Sequence, residues 1–457
     1  MDILWLRLHT SPSSSYEDAR LARLFNANRP NYHPTAIVRA RTQSDIIKAV
    51  QLAKILNLQI NVRSGGHSYP GWSLSDNSIL IDLVNYRELQ VDVSQKEAWV
   101  SSGMRSDVDL ELMKDCGLML GAGHHPGVGI GGFLLQGGLS WNSRNWGWAC
   151  ERVKALQVVT ADGDLVNCSQ VENSDLFWAA RGAGPCNESF SHDITTDFPG
   201  IVTRFLVQLL PAPKIFRSSG YIFPQSMYQE AFNWIIEITP TFDQDTEITA
   251  VCRYLDGSDE ICFAVYFVTM KGETEEARKA LLPTHETRPR GAIQEWFCQE
   301  DSLQQEYANE VSAWPGDRRW FADNSFVKND VDVAAILKEI CMTLPDRHCI
   351  VLWYPLAPHS RRNLPDMAFS LQSDHYVATY TIYESEKDDE KYHSWIHATV
   401  EKLSSFRLGS FSGEADFKAR KVKCWGDAQW KKITQIRQKW DPDGRICCPF
   451  KQKNSEG

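Results

Sequence analysis

Two glycine-dense segments hold the residues best placed to bind a ligand. The first is Arg63-Ser64-Gly65-Gly66-His67-Ser68-Tyr69-Pro70-Gly71, in which three glycines and a proline hold a histidine at the end of an apolar run. Glycine pairs let backbone N–H groups approach a bound group that Cβ atoms would keep away, and successive N–H groups in a tight loop form an anion-binding concavity. The segment predicts a phosphate-bearing ligand, although the same residues also suit an ordinary tight turn. The second segment runs from Gly121 to Gly138 and places His124-His125-Pro126 ahead of Gly127-Val128-Gly129-Ile130-Gly131-Gly132. Those last six residues satisfy the G-x-G-x-x-G dinucleotide pattern, with Glu151 near the offset of a ribose-binding acid. A Rossmann fingerprint opens a helix directly after a strand, however. Here His124-His125-Pro126 precedes it and Gly137-Gly138 breaks any helix that follows, so a nicotinamide site is disfavoured.

The elements that must position these segments read as follows. Ala36 to Arg39 forms a strand, Ser44 caps a helix with Ile46, Ile47, Val50, Ala53 and Leu56 at helical spacing, and Leu58 to Val62 resumes a strand. This βαβ unit delivers the first glycine loop from its second strand. Further strands are expected at Ser78 to Leu83 and Ala98 to Ser101, and Ser106 opens a helix that Gly117 ends. Ala161-Asp162-Gly163 joins a hairpin, Ser174 caps a short helix to Arg181, and Ile201 to Leu210 is a closing strand before Pro211-Ala212-Pro213, a domain boundary. Beyond it, strands at 220–223, 248–254, 261–269, 349–354 and 376–383 alternate with helices at 225–238, 273–282, 331–342 and 387–403. This predicts an antiparallel sheet covered by helices. Asp427 to Trp440 is an amphipathic helix stopped by Pro442.

Composition excludes several classes of partner. The chain has 457 residues, enough for two or three domains, and 43% of them are hydrophobic, which suits large buried cores. With a net charge of −10 and only the short, interrupted basic stretch Lys418 to Lys423, nucleic acid would be repelled. The 12 cysteines are dispersed, with Cys447-Cys448 in the tail, so buried reduced thiols are expected rather than a metal site or a disulfide framework. The N-terminal apolar run, Met1 to His9, is too short and interrupted for a signal peptide, and no stretch approaches a membrane span; a cytoplasmic location is expected.

The order of the motifs is more specific than either glycine segment. Arg63 to Gly71, Gly121 to Trp141, Leu156 to Leu165, Asp175 to Gly184 and Gly200-Ile201-Val202-Thr203 resemble the FAD-binding domain of the berberine-bridge-enzyme-like branch of the vanillyl-alcohol oxidase flavoprotein superfamily. Ser373-Asp374-His375-Tyr376 and Trp440-Asp441-Pro442-Asp443-Gly444 extend the resemblance over nearly the whole chain. It implies an α+β architecture: a PCMH-type FAD-binding domain of two subdomains over residues 1–212, a substrate domain over 213–425, and a C-terminal return over 426–457. It implies FAD, with Ser64, Gly65, Gly66 and Ser68 at the pyrophosphate and Arg63 among the other cofactor-binding residues. Gly127, Val128, Gly131, Gly132, Gly138 and Val202 would supply backbone contacts, and His67 would be bonded covalently to the flavin 8α-methyl carbon, making the flavin a stronger oxidant.

Departures from the family pattern sharpen the expectation. Many relatives carry a cysteine, the second flavin anchor, where this chain has His125. A singly attached flavin follows, as in 6-hydroxynicotine-oxidase-like members, with His124 and His125 lining the flavin edge or packing beside it. Cys186 to Asp197 looks inserted. Relatives often have a Tyr-x-Asn-x-x-Asp pattern where this chain has Phe411-Ser412-Gly413-Glu414-Ala415-Asp416, so Glu414 becomes the candidate base, with Tyr376, Tyr380, His375 and His125 as the other candidates. The resemblance thus implies an oxidase that takes hydride from a C–H beside oxygen or nitrogen of a small, secondary-metabolite substrate, with molecular oxygen forming hydrogen peroxide. An oxidative cyclase and a degenerate, non-catalytic flavin-binding protein are the alternatives. Trp314, Trp320, Phe321, Trp353 and Tyr354 suit an aromatic-lined cleft and a core equally well.

Overall fold

A computed structural model describes residues 2–5, 14–184, 187–188, 195–196, 198–416, 420 and 423–446. The N-terminal part of the chain builds two small sheets. In the first, of four strands, Ser78–Asp82 lies between Ala36–Arg39 and Gln59–Arg63 and runs parallel to both, while Asp2–Trp5 adds an antiparallel edge. The βαβ strands are therefore parallel, as expected, but a third strand separates them. Their helix is Gln43–Ile55, and its cap is Thr42 rather than Ser44. The Thr42 hydroxyl accepts the Asp45 N–H while the Asp45 carboxylate accepts the Thr42 N–H, a reciprocal pairing that satisfies two otherwise orphaned donors.

The second sheet is fully antiparallel, in the order Leu89–Asp92, Glu97–Ser101, Gly200–Gln208, Val153–Thr160, Leu165–Cys168. Its core joins Val158 and Phe205 to Ile130 and Leu134 of the short Ile130–Leu135 helix, and to Ile433 and Ile436 of the Asp427–Trp440 helix. Each such side chain contributes about 1.5–3 kcal/mol by leaving water. The C-terminal segment returns to the first sheet as well, where Ile446 bridges Ile60. Ser106 does not cap the Val108–Cys116 helix; its hydroxyl instead accepts the Gly123 N–H and so ties the second glycine segment down.

The remaining sheet has eight strands, all antiparallel, in the order Gln294–Asp301, Ile215–Pro224, Ile261–Lys271, Thr246–Tyr254, Cys349–Pro355, His375–Tyr383, Arg319–Val327, Arg407–Gly409. One face packs on the helices Tyr228–Ile238, Val333–Met342 and Asp389–Leu403 through Phe232, Leu337 and Tyr392. The other face turns toward the glycine segments. Of the segment that looked inserted, 187–188 and 195–196 pair as a two-residue antiparallel ladder, and the rest lies outside the described residues, as do Cys447 and Cys448. Among the described residues no helix is long and apolar enough to cross a membrane, and no cluster of three or more His, Cys, Asp or Glu is arranged to hold a metal ion.

Candidate active site

A cavity of about 400 Å³ lies between the two glycine segments and the inner face of the large sheet. The two segments touch. A Cβ on Gly65 would sit 2.3 Å from the Gly129 nitrogen, and one on Gly129 would sit 2.1 Å from the Gly65 nitrogen, so this approach needs glycine on both sides. Ser64 Oγ donates to the Ser102 carbonyl at 2.6 Å, and the Arg23 guanidinium donates to the Ser64 carbonyl at 2.6 Å. The loop is thereby fixed with its backbone toward the cavity. Among the described residues, the consecutive N–H groups of Gly65, Gly66, His67 and Ser68 donate to no protein acceptor. Buried N–H groups are almost always paired, so an orphaned run lining a cavity is a cradle for anionic oxygens.

The expected cofactor-binding residues divide into two groups. Ser64, Gly65, Gly66, His67, Ser68, Val128, Gly131, Gly132 and Val202 all line the cavity. Arg63 reaches it too, but its guanidinium donates to the Arg20 carbonyl at 2.7 Å and to the Asp82 carboxylate at 2.8 Å, so its charge serves the scaffold and not a phosphate. Gly127 stands behind the wall, where a Cβ would come 2.5 Å from His67 Nε2. Gly138 packs away from the cavity against Phe133 and Ala149. Glu151 is spent elsewhere as well: it accepts the Trp148 N–H at 2.8 Å and pairs with Arg362.

His67 stacks on Phe25, with ring centroids 4.6 Å apart and planes 24° from parallel, and its ring lies 4.7 Å from that of His125. Burial, with repulsion from His125, Arg105 and Arg23, pulls the His67 pKa down to about 3, so its ring is neutral. Burial and Arg105 pull His125 down to about 4. His125 Nδ1 accepts the Gly127 N–H at 3.0 Å, which makes this ring a clamp on the glycine loop.

On the sheet side, Glu414 is held by two hydroxyls. Tyr376 and Tyr380 both donate to its carboxylate, Tyr380 at 2.6 Å. Burial raises the Glu414 pKa above the ordinary carboxylate value, against the two hydroxyl bonds and the positive His124, which lower it. Tyr376 and Tyr380 share a face because strand side chains alternate with a period of two. His375, one residue out of phase, points to the opposite face, where Trp353 Nε1 donates to its Nδ1 at 3.2 Å, so it is remote from the cavity. Of the aromatic residues, Trp314 and Tyr354 line the cavity, whereas Trp320 is core, and Trp353 packs on Phe232.

The residue types alone did not reveal three further features. His124 pairs with Glu247 of the Thr246–Tyr254 strand, and this carboxylate overcomes the effect of burial to raise the His124 pKa to about 9. Glu310, on the Leu303–Ala313 helix, lines the cavity, as does Tyr69 of the first glycine segment. His124 and Glu247 lie 123 residues apart, which no local pattern can connect.

Known proteins match this arrangement. The FAD binding domain family matches residues 34–169, a span that contains both glycine segments. Over 436 residues the chain is 37% identical to the FAD-linked oxidoreductase ptmO of Penicillium ochrochloron, covering 95% of this chain and 94% of that one. The chain belongs to the FAD-linked oxidoreductases. Among solved structures, berberine bridge enzyme from Eschscholzia californica superposes with a TM-score of 0.81 at 17% identity, covering 98% of this chain and 96% of that one. The 6-hydroxy-D-nicotine oxidase of Arthrobacter nicotinovorans does so with a TM-score of 0.80 at 19% identity, over 97% and 96%. The fold of this FAD-linked oxidoreductase is thus the α+β, PCMH-type, berberine-bridge-enzyme-like one. The orphaned N–H run and the paired glycines fit an FAD pyrophosphate, and the neutral His67 ring beside that loop fits the flavin edge.

Proposed function

We propose that this FAD-linked oxidoreductase is an oxidase that removes hydride from a C–H beside oxygen or nitrogen of a small, apolar or aromatic secondary metabolite, with molecular oxygen as electron acceptor and hydrogen peroxide as product. The observation that carries this reading is Glu414, a carboxyl of raised pKa oriented by Tyr376 and Tyr380, in one cavity with the anion cradle of Gly65 to Ser68. Bound FAD supplies the hydride-accepting and oxygen-reactive chemistry. The N–H groups of Gly65 to Ser68 hold its pyrophosphate, and backbone at Val128, Gly131, Gly132 and Val202 lines its path. His67 is the single covalent anchor, since its neutral ring offers a nitrogen lone pair and no thiol stands at His125.

Glu414, when ionised, accepts the proton that the substrate O–H or N–H loses as the hydride departs; the two tyrosine hydroxyls keep its oxygens aimed. Phe411 offers no phenol, and the phenols of Tyr376 and Tyr380 already donate to Glu414. In this reading residues 1–212 and 426–457 form the cofactor unit and 213–425 the substrate unit. Two measurements test it. After acid precipitation the yellow colour should stay in the pellet of the unmutated protein and pass to the supernatant for His67→Ala; release from the unmutated protein refutes the covalent link. Oxygen uptake with a substrate should fall with Glu414→Gln, and a yellow protein that converts substrate without consuming oxygen refutes the oxidase.

A further inference from the structure

Glu310 is an acid in the cavity to which the proposed chemistry gives no task. It lies in the last turn of the Leu303–Ala313 helix, one turn before Trp314, so the two side chains share a helix face, and both line the cavity. Trp314 is held firmly: its backbone N–H donates to the Glu310 carbonyl at 2.8 Å. Its ring stacks on Trp320 at 5.4 Å and 28° and meets the Tyr380 ring edge-on at 4.7 Å.

The basic residues that line the cavity are Arg63, His67, His124 and His125, and none serves Glu310 as a partner. Arg63 is bound to Asp82, His124 to Glu247, and His67 and His125 are held neutral by burial. Glu414 receives two hydroxyls, whereas among the described residues Glu310 has no ion pair and no hydroxyl donor. The titratable groups that face it are His124, Glu247, Glu414 and Tyr69 and, one turn back on its own helix, Glu306. Burial raises its pKa to about 7, and the Trp314 side chain and His124 pull against Glu247 and Glu414. A carboxyl in that state gains from any donor that enters the cavity.

We infer that Glu310 is a specificity-determining residue whose carboxylate accepts a hydrogen bond from an N–H or O–H of the substrate, while the flat apolar body bearing that donor packs on Trp314. The inference rests on the cavity being the substrate pocket. A cationic N–H and a neutral O–H share this chemistry.

The test uses three probes of one shape, benzylammonium, benzyl alcohol and toluene, titrated calorimetrically into the flavin-loaded protein at pH 7. Benzylammonium should bind about tenfold or more tightly than toluene, with benzyl alcohol between them. Its binding should also release protons, seen as a heat that depends on the buffer's ionisation enthalpy. Glu310→Gln should bring benzylammonium to within about twofold of toluene and abolish the proton release while leaving toluene binding and flavin content unchanged; Glu310→Asp should keep part of both. A gain for benzylammonium alone marks a cationic substrate donor, and a gain for both polar probes marks a neutral one. Equal binding of all three to the unmutated protein, including no saturable binding, overturns the inference, as does a Glu310→Gln variant that keeps the preference or the proton release. None of these outcomes bears on the oxidase reading, which stands or falls with oxygen consumption during turnover.

Discussion

Glu414 shows how a single environment sets chemistry. Burial disfavours its charge while Tyr376 and Tyr380 favour it, and the net effect is a raised pKa. A base works only when ionised, so kcat/KM should fall on the acid side of the profile at a pH above the usual carboxylate range. Replacing Glu414 with Gln should lower kcat by about 10²–10⁴-fold with flavin content unchanged, a loss typical of a missing general base. A variant retaining most of its turnover would move the proton to another group. The tyrosines allow a sharper test. The Tyr380 hydroxyl stabilises the ionised form, so Tyr380→Phe should push the Glu414 pKa higher and shift the acid limb of the profile to higher pH. A shift to lower pH would contradict the assigned direction of that hydrogen bond. That His67, Glu414 and Tyr376 share one cavity was legible in the sequence, because motif order places them. Glu310 and the His124–Glu247 pair were not, because their meaning depends on contacts across the fold rather than on neighbours in the chain.

At the scale of elements, helical periodicity and Gly punctuation located most segments within a few residues, as with Asp427–Trp440 and the Val153–Thr160 hairpin strand. The misses have physical reasons. Gln294–Asp301 is a polar edge strand, half of it exposed, with no alternation to mark it, and Arg319–Val327 is buried on both faces and so shows none either. The Leu303–Ala313 helix buries only Leu303 and Tyr307, and its cap, Ser302, was the signal available. The first glycine segment is a loop, as its composition suggests, whereas the second carries the short Ile130–Leu135 helix, and the close approach their glycines permit is between the two segments, which gives a direct test. Gly129→Ala would force a Cβ onto the Gly65 nitrogen at 2.1 Å, which only a shift of backbone can relieve, so the cradle should open. The flavin-to-protein ratio of the purified variant should fall severalfold while its far-ultraviolet circular dichroism stays native. Full flavin occupancy would show that the contact between the two segments is dispensable.

Across the whole molecule, the glycine segments and the large sheet are joined by polar ties as well as by apolar packing. The buried Arg144 donates to the carbonyls of Thr239, Asp243, Thr246 and Ala357, and Glu247 Oε2 accepts the Asn142 N–H at 2.8 Å while its other oxygen pairs with His124. The His124 tie makes stability depend on pH with a defined sign. Its folded pKa, about 9, exceeds the unfolded value of 6.5, so the native state binds more protons between those values. The stabilisation is fully present below pH 6.5 and is lost as pH rises through 9, about 3 kcal/mol in all. His124→Gln keeps a polar ring-sized group but removes the titration. Denaturant unfolding at pH 6.5 and at pH 9.5 should therefore show the unmutated protein losing about 3 kcal/mol more than the variant between the two pH values. Parallel losses in both proteins would mean that the pair joins the two faces of the cavity without carrying a charge that matters to folding.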